Sequence, residues 1–413
     1  MSSRSALLFC ALLTVSLLYV AQLWTPLRLN GDSVVLLSIA SSAADGHGYL
    51  DHGTKTHYPP GYPAMVVGLE RIGAAHSWGL VGLNAFFMVL GFASAYRVAR
   101  CYFRLSRNWA AFALLFASLS FALIKHFTLP LTDIPFLGFS LLAVALIVTA
   151  EQQPQRYYAF WLAALLVALA SIVIRPVGIA LLPCLAWSLG VRFGLLRVAL
   201  SRKALLIVSC IVIGIVASIF LLHTKYVQEA LAGVAQQGVG HVFSRLISFR
   251  VREAGELALN APASKLGRLA PLVWVIGLTA ILWLAFTLRR ARIGSVEIYL
   301  AAYACIFLLW PYGDTRFWNP VLPLLSAELL ASLAPWTFTG WKKLAGLAYS
   351  SAYLLMGLLA MAYSTWITFS GAGFARRYGD DHLRPTYAYF YSASRDQATV
   401  NQPALELLKR YSR

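Results

Sequence analysis

Apolar stretches that approach the thickness of a bilayer recur along almost the whole chain, near residues 6–24, 78–98, 109–124, 134–150, 157–173, 176–191, 204–222, 272–288, 296–310, 318–335 and 344–368. A helix needs about 20 predominantly apolar residues to cross a hydrocarbon core of about 30 Å. Only helices and closed barrels satisfy their backbone polar groups there. The chain is therefore expected to be an all-α polytopic membrane protein with about eleven transmembrane helices, the shorter ones extended by neighbouring protein or entering at an angle. Composition agrees, because 12% of the 413 residues are charged and soluble domains average about 25%.

The net charge is +18, from 34 Lys and Arg against 16 Asp and Glu. No basic tract with interleaved aromatics accompanies it, which argues against nucleic acid as a partner. In a membrane chain the excess reads as cytoplasmic loops and attraction to anionic lipids. With the N-terminus in the cytoplasm, one set of alternate loops carries Arg97, Arg100, Arg104 and Arg107, then Arg156, then Arg192, Arg197, Arg202 and Lys203. The same set continues with Arg289, Arg290 and Arg292, then Lys342 and Lys343. The opposite loops hold few basic groups, mainly Arg28, Lys55, Lys125, Arg175 and Arg316. This asymmetry suits a bacterial inner membrane with the C-terminus extracytoplasmic. Residues 1–368 then form the membrane body, with outer loops at about 25–77 and 223–271, and residues 369–413 form an outer tail with no evident role.

Met1 to Trp24 begins with basic Arg4 and runs on as an apolar stretch without an A-x-A-like cleavage site, so it reads as an uncleaved first helix. Cys10, Cys101, Cys184, Cys210 and Cys305 lie far apart in or beside apolar runs and suggest packing rather than a disulfide framework or zinc site. In the first outer loop a short interfacial helix is expected from Asp32 to Ala44, with Asp32 as its cap and Gly46 as its end. Its polar residues recur at helical spacing against Val34, Val35, Leu36, Leu37 and Ile39.

Under this topology Asp32, Asp133, Arg175, Asp314 and Arg316 share one outer face beside helix ends. Ionisable groups at membrane depth are costly and mark functional sites by default. Two carboxylates with two guanidinium groups suit transfer of a group from a phosphate. A carboxylate can take the proton of an attacking hydroxyl, and Arg grips phosphate oxygens in pairs.

The surrounding residues resemble the GT-C superfamily of membrane glycosyltransferases. The likeness is greatest to the branch of protein O-mannosyltransferases, lipid A aminoarabinose transferases and rhizobial lipopolysaccharide transferases. It is carried by NGDSVVLLSIASSAADGHGY from Asn30 to Tyr49 and by HYPPGYPA from His57 to Ala64. Further on it is carried by LTDIPF around Asp133, IRPVG around Arg175 and DTRFWNPVLP from Asp314 to Pro323. It covers roughly residues 1–325 and leaves the C-terminal region without a counterpart.

The resemblance implies an inverting transfer of a sugar from a polyprenyl-phosphate donor to a hydroxyl of a glycan, lipid or protein acceptor. It gives Asp32 the role of base with Asp133 as the second acidic residue, and gives Arg175, Arg316 and Lys125 the donor phosphate. It gives His57, Tyr58, Tyr62 and Asp314 contacts to substrate. The likeness is incomplete at one place: Ser33 and Val34 follow Asp32 where members often carry a second acid. No metal ligand set is therefore assigned, and a divalent metal shared by Asp32 and Asp133 is left open.

Plainer roles stand beside these. Asp32 and Asp133 could cap helices, Arg175 could snorkel to headgroups, Arg316 could pair with Asp314, and Lys125 and Lys225 could be interface anchors. His47, His52 and His57 are spaced by five, which suits a solvated loop or sugar hydrogen bonding better than a metal. Glu70 and Arg71 read as a local ion pair. A flippase of lipid-linked sugars, or an oligosaccharide polymerase or ligase, is the alternative activity. A transporter tends to show related halves and broken helices at the midplane, and no half-repeat is visible here.

Overall fold

The computed structural model describes residues 3–194, 238–288, 293–308, 310–333, 339–371, 373–378, 382–394 and 399–412, with residues 232, 235 and 236 as isolated positions. The expected run at 204–222, Cys210, Lys225 and the basic residues Arg197, Arg202, Lys203, Arg289, Arg290 and Arg292 lie outside the described residues.

The architecture is helical, with one two-stranded hairpin among the described residues. The N-terminal part runs α1 (Ser3–Ala21), α2 (Gly31–Ala44), the hairpin β1 (Leu50–Asp51) and β2 (Thr54–Lys55), α3 (Gly61–Arg71), α4 (Ser77–Cys101), α5 (Arg107–Ser118) and α6 (Phe121–Phe127). Then come α7 (Asp133–Gln152), α8 (Tyr157–Ile174), α9 (Leu181–Arg192), α10 (Val239–Leu259), α11 (Leu272–Leu288), α12 (Ser295–Leu308) and α13 (Leu322–Leu333). The chain finishes with α14 (Gly340–Thr368), α15 (Gly373–Arg377), α16 (Arg384–Phe390) and α17 (Gln402–Tyr411).

Among the described residues five helical stretches are long and apolar enough to cross a membrane, Ser5–Trp24, Ser77–Cys101, Asp133–Gln152, Pro154–Ile174 and Gly340–Thr368. The bent pair of α5 and α6 makes a sixth, and shorter apolar helices cover most of the other expected runs. The chain is an integral membrane protein. α7 is apolar on every side and sits inside the bundle, enclosed by α4, α8, α9 and α12. It meets α4 closely because Gly138 lacks a side chain; a Cβ there would lie 2.7 Å from the Phe87 carbonyl oxygen. α8 turns Leu162, Leu166, Leu169 and Val173 outward, as a lipid-facing stripe does.

The run at 109–124 is not one straight helix. It breaks between α5 and α6 with a bend of 63°. A break at membrane depth frees backbone groups that must find partners. Asn260, which follows α10 in a left-handed conformation, supplies them. Its amide donates to the Leu119 carbonyl at 2.8 Å and its carbonyl accepts from the Phe121 N–H at 2.6 Å. At the far end of α6, Asn84 of α4 donates to the Phe127 and Leu129 carbonyls, both at 2.8 Å. Two buried asparagines thus bracket the half-helix that carries Lys125 and His126.

α2 begins one residue before the expected start, and its cap is Asn30 rather than Asp32. The Asn30 side chain accepts from the Ser33 N–H at 2.9 Å, and the Ser33 hydroxyl accepts from the Asn30 N–H at 2.6 Å. This reciprocal box satisfies two free donors and leaves Asp32 unused in the first turn. The apolar face of α2 is covered by α3 and by the C-terminal segment, whose Tyr387, Leu408 and Tyr411 are fully buried against it. Tyr387 accepts from the Leu29 N–H at 2.7 Å and donates to the Leu27 carbonyl at 2.9 Å, so the C-terminal segment grips the chain just ahead of α2. Glu70 does not pair with Arg71: Arg410 reaches it at 2.9 Å and binds Asp45 at 2.8 Å. The long guanidinium of α17 bridges two acids that adjacent Arg71 does not.

Candidate functional site

The IRPVG segment folds as its composition dictates. Pro176 cannot continue α8, so Arg175 turns to an extended conformation and a 3-10 turn follows. Gly178 lets that turn fold back on α8, since a Cβ there would lie 2.5 Å from the Ser171 hydroxyl. Gly61 of the PPGYP segment backs onto the same helix end, where a Cβ would meet the Val173 carbonyl at 2.7 Å. Arg175 therefore leaves a rigid corner, and its guanidinium donates to Asp133 in the first turn of α7. Asp133 does not cap α7, which follows Thr132. It is nearly buried, its side chain 3% exposed, and it is a fixed partner for Arg175.

The second pair is built the same way. Asp314 caps the 3-10 turn Thr315–Trp318, accepting from the Arg316 N–H at 2.9 Å. The Arg316 guanidinium donates to Asp32, while its Nε lies 3.3 Å from the Asp314 carboxylate. Tyr58 donates to the other Asp32 oxygen at 3.2 Å. Phe317 joins the pairs: Arg175 and Arg316 sit over its ring at 5.3 and 5.2 Å from the centroid. Five segments far apart in sequence thus converge on one place.

The electrostatics follow from burial and neighbours. Burial works to raise the Asp314 carboxyl; His126 when protonated, together with Arg316 and Lys125, outweighs it and holds the group below its ordinary value. Burial likewise opposes the charge on Arg316, and Asp133, Asp32 and Asp314 more than offset it, so its affinity for a proton is raised. Asp32 and Asp314 are the accessible acids, with side chains 37% and 35% exposed.

Asp32, Asp133, Arg175, Asp314, Arg316, Tyr58 and Lys125 are therefore brought together. Tyr62 is not, since it is fully buried in the core between α2 and α3. His57 lies beside Tyr58, with ring centroids 5.3 Å apart. His52 pairs with Ser38 along α2, its backbone N–H donating to the Ser38 hydroxyl at 3.1 Å. Asp32 and Asp133 each bond a guanidinium, of Arg316 and Arg175 respectively. Among the described residues no group of three or more His, Cys, Asp or Glu could hold a metal.

Sequence reasoning missed four contributors. Glu253 of α10 accepts from the Asp314 N–H and from Trp318 Nε1, both at 2.8 Å, and from Arg250 at 2.6 Å. Arg250 in turn donates to the Trp310 and Tyr312 carbonyls at 2.8 and 2.6 Å. Burial pushes the Glu253 carboxyl up to about 7 against the downward pull of Arg250 and Trp318. The signal was available: two opposite charges three apart on one helix, among apolar neighbours, in an outer loop. The other two, His126 and Asn319, depend on the unforeseen bend of α5 and α6. A separate open groove of about 950 Å³ follows the other end of α2, between Ser38, Ser41, Ser42 and His47 on one side and Glu406 and Lys409 of α17 on the other.

No family model matches the chain, and no curated protein matches it. Solved structures do. ArnT from Cupriavidus metallidurans bound to undecaprenyl phosphate aligns over 99% of this chain and 73% of its own, with 15% identity and a TM-score of 0.50. The archaeal oligosaccharyltransferase AglB from Archaeoglobus fulgidus, in complex with an inhibitory peptide and a dolichol-phosphate, aligns over 97% of this chain and 61% of its own, with 13% identity and a TM-score of 0.50. The chain shares the fold of these two proteins over nearly its whole length.

Proposed function

We propose, from the GT-C fold as premise, that this chain is a glycosyltransferase using a polyprenyl-phosphate-linked sugar on the extracytoplasmic face of the membrane. The observation that carries the reading is the meeting of the Asp32–Arg316 and Asp133–Arg175 pairs around Phe317. Each arginine spends part of its five-donor fork on a carboxylate and keeps N–H groups for phosphate oxygens.

The donor enters from the bilayer with its phosphate between Arg175 and Arg316. Asp133 is too buried to meet an acceptor, so it orients Arg175. Asp32, at the open side, accepts the acceptor's proton. The acceptor oxygen bonds to the anomeric carbon as the bond from that carbon to the phosphate oxygen breaks, and the electron pair leaves with the polyprenyl phosphate. One displacement inverts the carbon. Positioning and charge stabilisation at the departing phosphate supply most of the rate. The polar groove along the later turns of α2, which begins roughly 9 Å from Asp32 along the helix, would guide an extended acceptor.

The test is release of undecaprenyl phosphate from undecaprenyl-phosphate sugars by the purified protein in nanodiscs. Release dependent on Arg175 and Arg316 supports the reading. A protein that moves the intact lipid between leaflets without cleaving it is a flippase, and the proposal fails.

A further inference from the structure

His126 is 2% exposed and lies within electrostatic reach of Asp314, Lys125, Arg316 and Asp133. Its Nδ1 is 2.6 Å from the Ala122 carbonyl oxygen. A carbonyl only accepts, so Nδ1 carries the hydrogen and Nε2 of the neutral ring carries a lone pair. Asn319, just beyond the 3-10 turn of the site, donates its amide to the same carbonyl at 3.3 Å. His126 Nδ1 and one N–H of the Asn319 amide thus share one oxygen. Nε2 makes no hydrogen bond to the described residues, and Asn319 Oδ1 is buried without a partner. A buried acceptor without a partner, as Asn319 Oδ1 is, calls for a ligand that donates, and the lone pair of Nε2 can take a hydrogen bond from the same ligand. A phosphate oxygen cannot do so, and a sugar hydroxyl can.

We infer that His126 Nε2 accepts a hydrogen bond from a hydroxyl of the transferred sugar, making the half-helix after the bend a sugar-selecting element beside the phosphate-binding arginines. The inference rests on the glycosyltransferase reading. It explains why α6 is held at both ends by Asn260 and Asn84: a lone pair that selects among hydroxyl positions must be fixed in place. Asn319 acts as a positioning residue, since it holds the carbonyl that orients the ring.

The experiment measures binding of two probes to the purified full chain in nanodiscs at pH 8. One is undecaprenyl phosphate; the other is the tightest binder from a panel of undecaprenyl-phosphate hexoses and pentoses. His126→Asn keeps a donor near Ala122 but removes the acceptor at the Nε2 position. It should weaken the sugar-bearing lipid about tenfold, the cost of one hydrogen bond, and leave undecaprenyl phosphate unchanged. His126→Gln, whose amide oxygen can reach that position, should recover part of the loss. Intact binding of the bare lipid also reports that the variants are folded. Equal weakening of both probes would mean a phosphate or scaffold role and overturn the inference. Unchanged binding with slower turnover would make His126 a base and overturn it as well. A wild-type chain that binds neither lipid would instead remove the glycosyltransferase reading itself.

Discussion

Arg316 and Asp32 are bonded side chain to side chain although 284 residues separate them in the chain. That bond joins the first turn of α2 to the turn before α13 and decides what each residue can do. Asp32, relieved of capping by Asn30, faces a fixed cation on one side and solvent on the other. Arg316→Lys replaces a planar fork by a point charge that cannot hold Asp32 and a phosphate together. Turnover of undecaprenyl-phosphate sugar should fall by about 10²-fold or more, the range for losing a charge-stabilising donor, with the fold unchanged by circular dichroism.

Arg175 and Asp133 make the deeper pair, and breaking one side leaves a charge with little water around it. Asp133→Asn should cost about 3–5 kcal/mol, as other half-broken buried pairs do. Removing both charges with Arg175→Met and Asp133→Leu should recover much of that stability and none of the activity. Thermal unfolding in detergent, read beside turnover, separates the two effects.

Glu253 predicts a pH dependence. Its folded-state value of about 7 lies above the ordinary glutamate value of 4.5, so between these limits the folded chain binds the extra proton. This group's contribution to stability therefore falls as pH rises from about 4.5 to 7 and is constant above. Activity should move the opposite way, because only the ionised carboxylate can accept all the bonds from Arg250, Trp318 and Asp314. The expected profile has an acid limb centred near pH 7. Glu253→Gln should flatten that limb at a low plateau, and a mutant that keeps the wild-type profile would contradict the assignment.

Asn260 closes the bend between α5 and α6 through the Leu119 and Phe121 backbone and also donates to the Tyr353 carbonyl at 2.9 Å. Asn260→Leu strands those groups in an apolar interior. A loss of roughly 2 kcal/mol or more is expected, at about 1–3 kcal/mol for each buried group left unpaired. Asn260→Asp keeps an acceptor for Phe121 but sets a buried carboxylate against the Leu119 and Tyr353 carbonyls, and should lose at least as much. The comparison is made by thermal unfolding of the two variants.

Much of this was legible in the residues. Long apolar runs have one economical reading at membrane depth, and the proline and glycine of IRPVG and PPGYP restrict the backbone so strongly that Arg175 could be placed beside a helix end. Asp32, Asp133, Arg175 and Arg316 could be collected at one face because few ionisable groups interrupt the apolar runs. What was hidden depends on partners far away in sequence. The bend at Leu119 is stabilised by Asn260, so no local pattern announces it. Glu70 found Arg410 across 340 residues, and proximity to Arg71 was a poor guide. The C-terminal segment carried no readable motif because its work is packing, through Tyr387 and Tyr411, against a loop it could not be known to meet.

The most direct test of the central claim is mass spectrometry of cell-envelope glycans and glycoproteins from a deletion strain carrying either the wild-type gene or Asp32→Asn. The account predicts that one species loses the mass of a single sugar in the deletion and in the Asp32→Asn strain alike, and regains it with the wild-type gene. Full restoration by a normally inserted Asp32→Asn protein would contradict it, leaving Asp32 as a partner of Arg316 with no part in transfer.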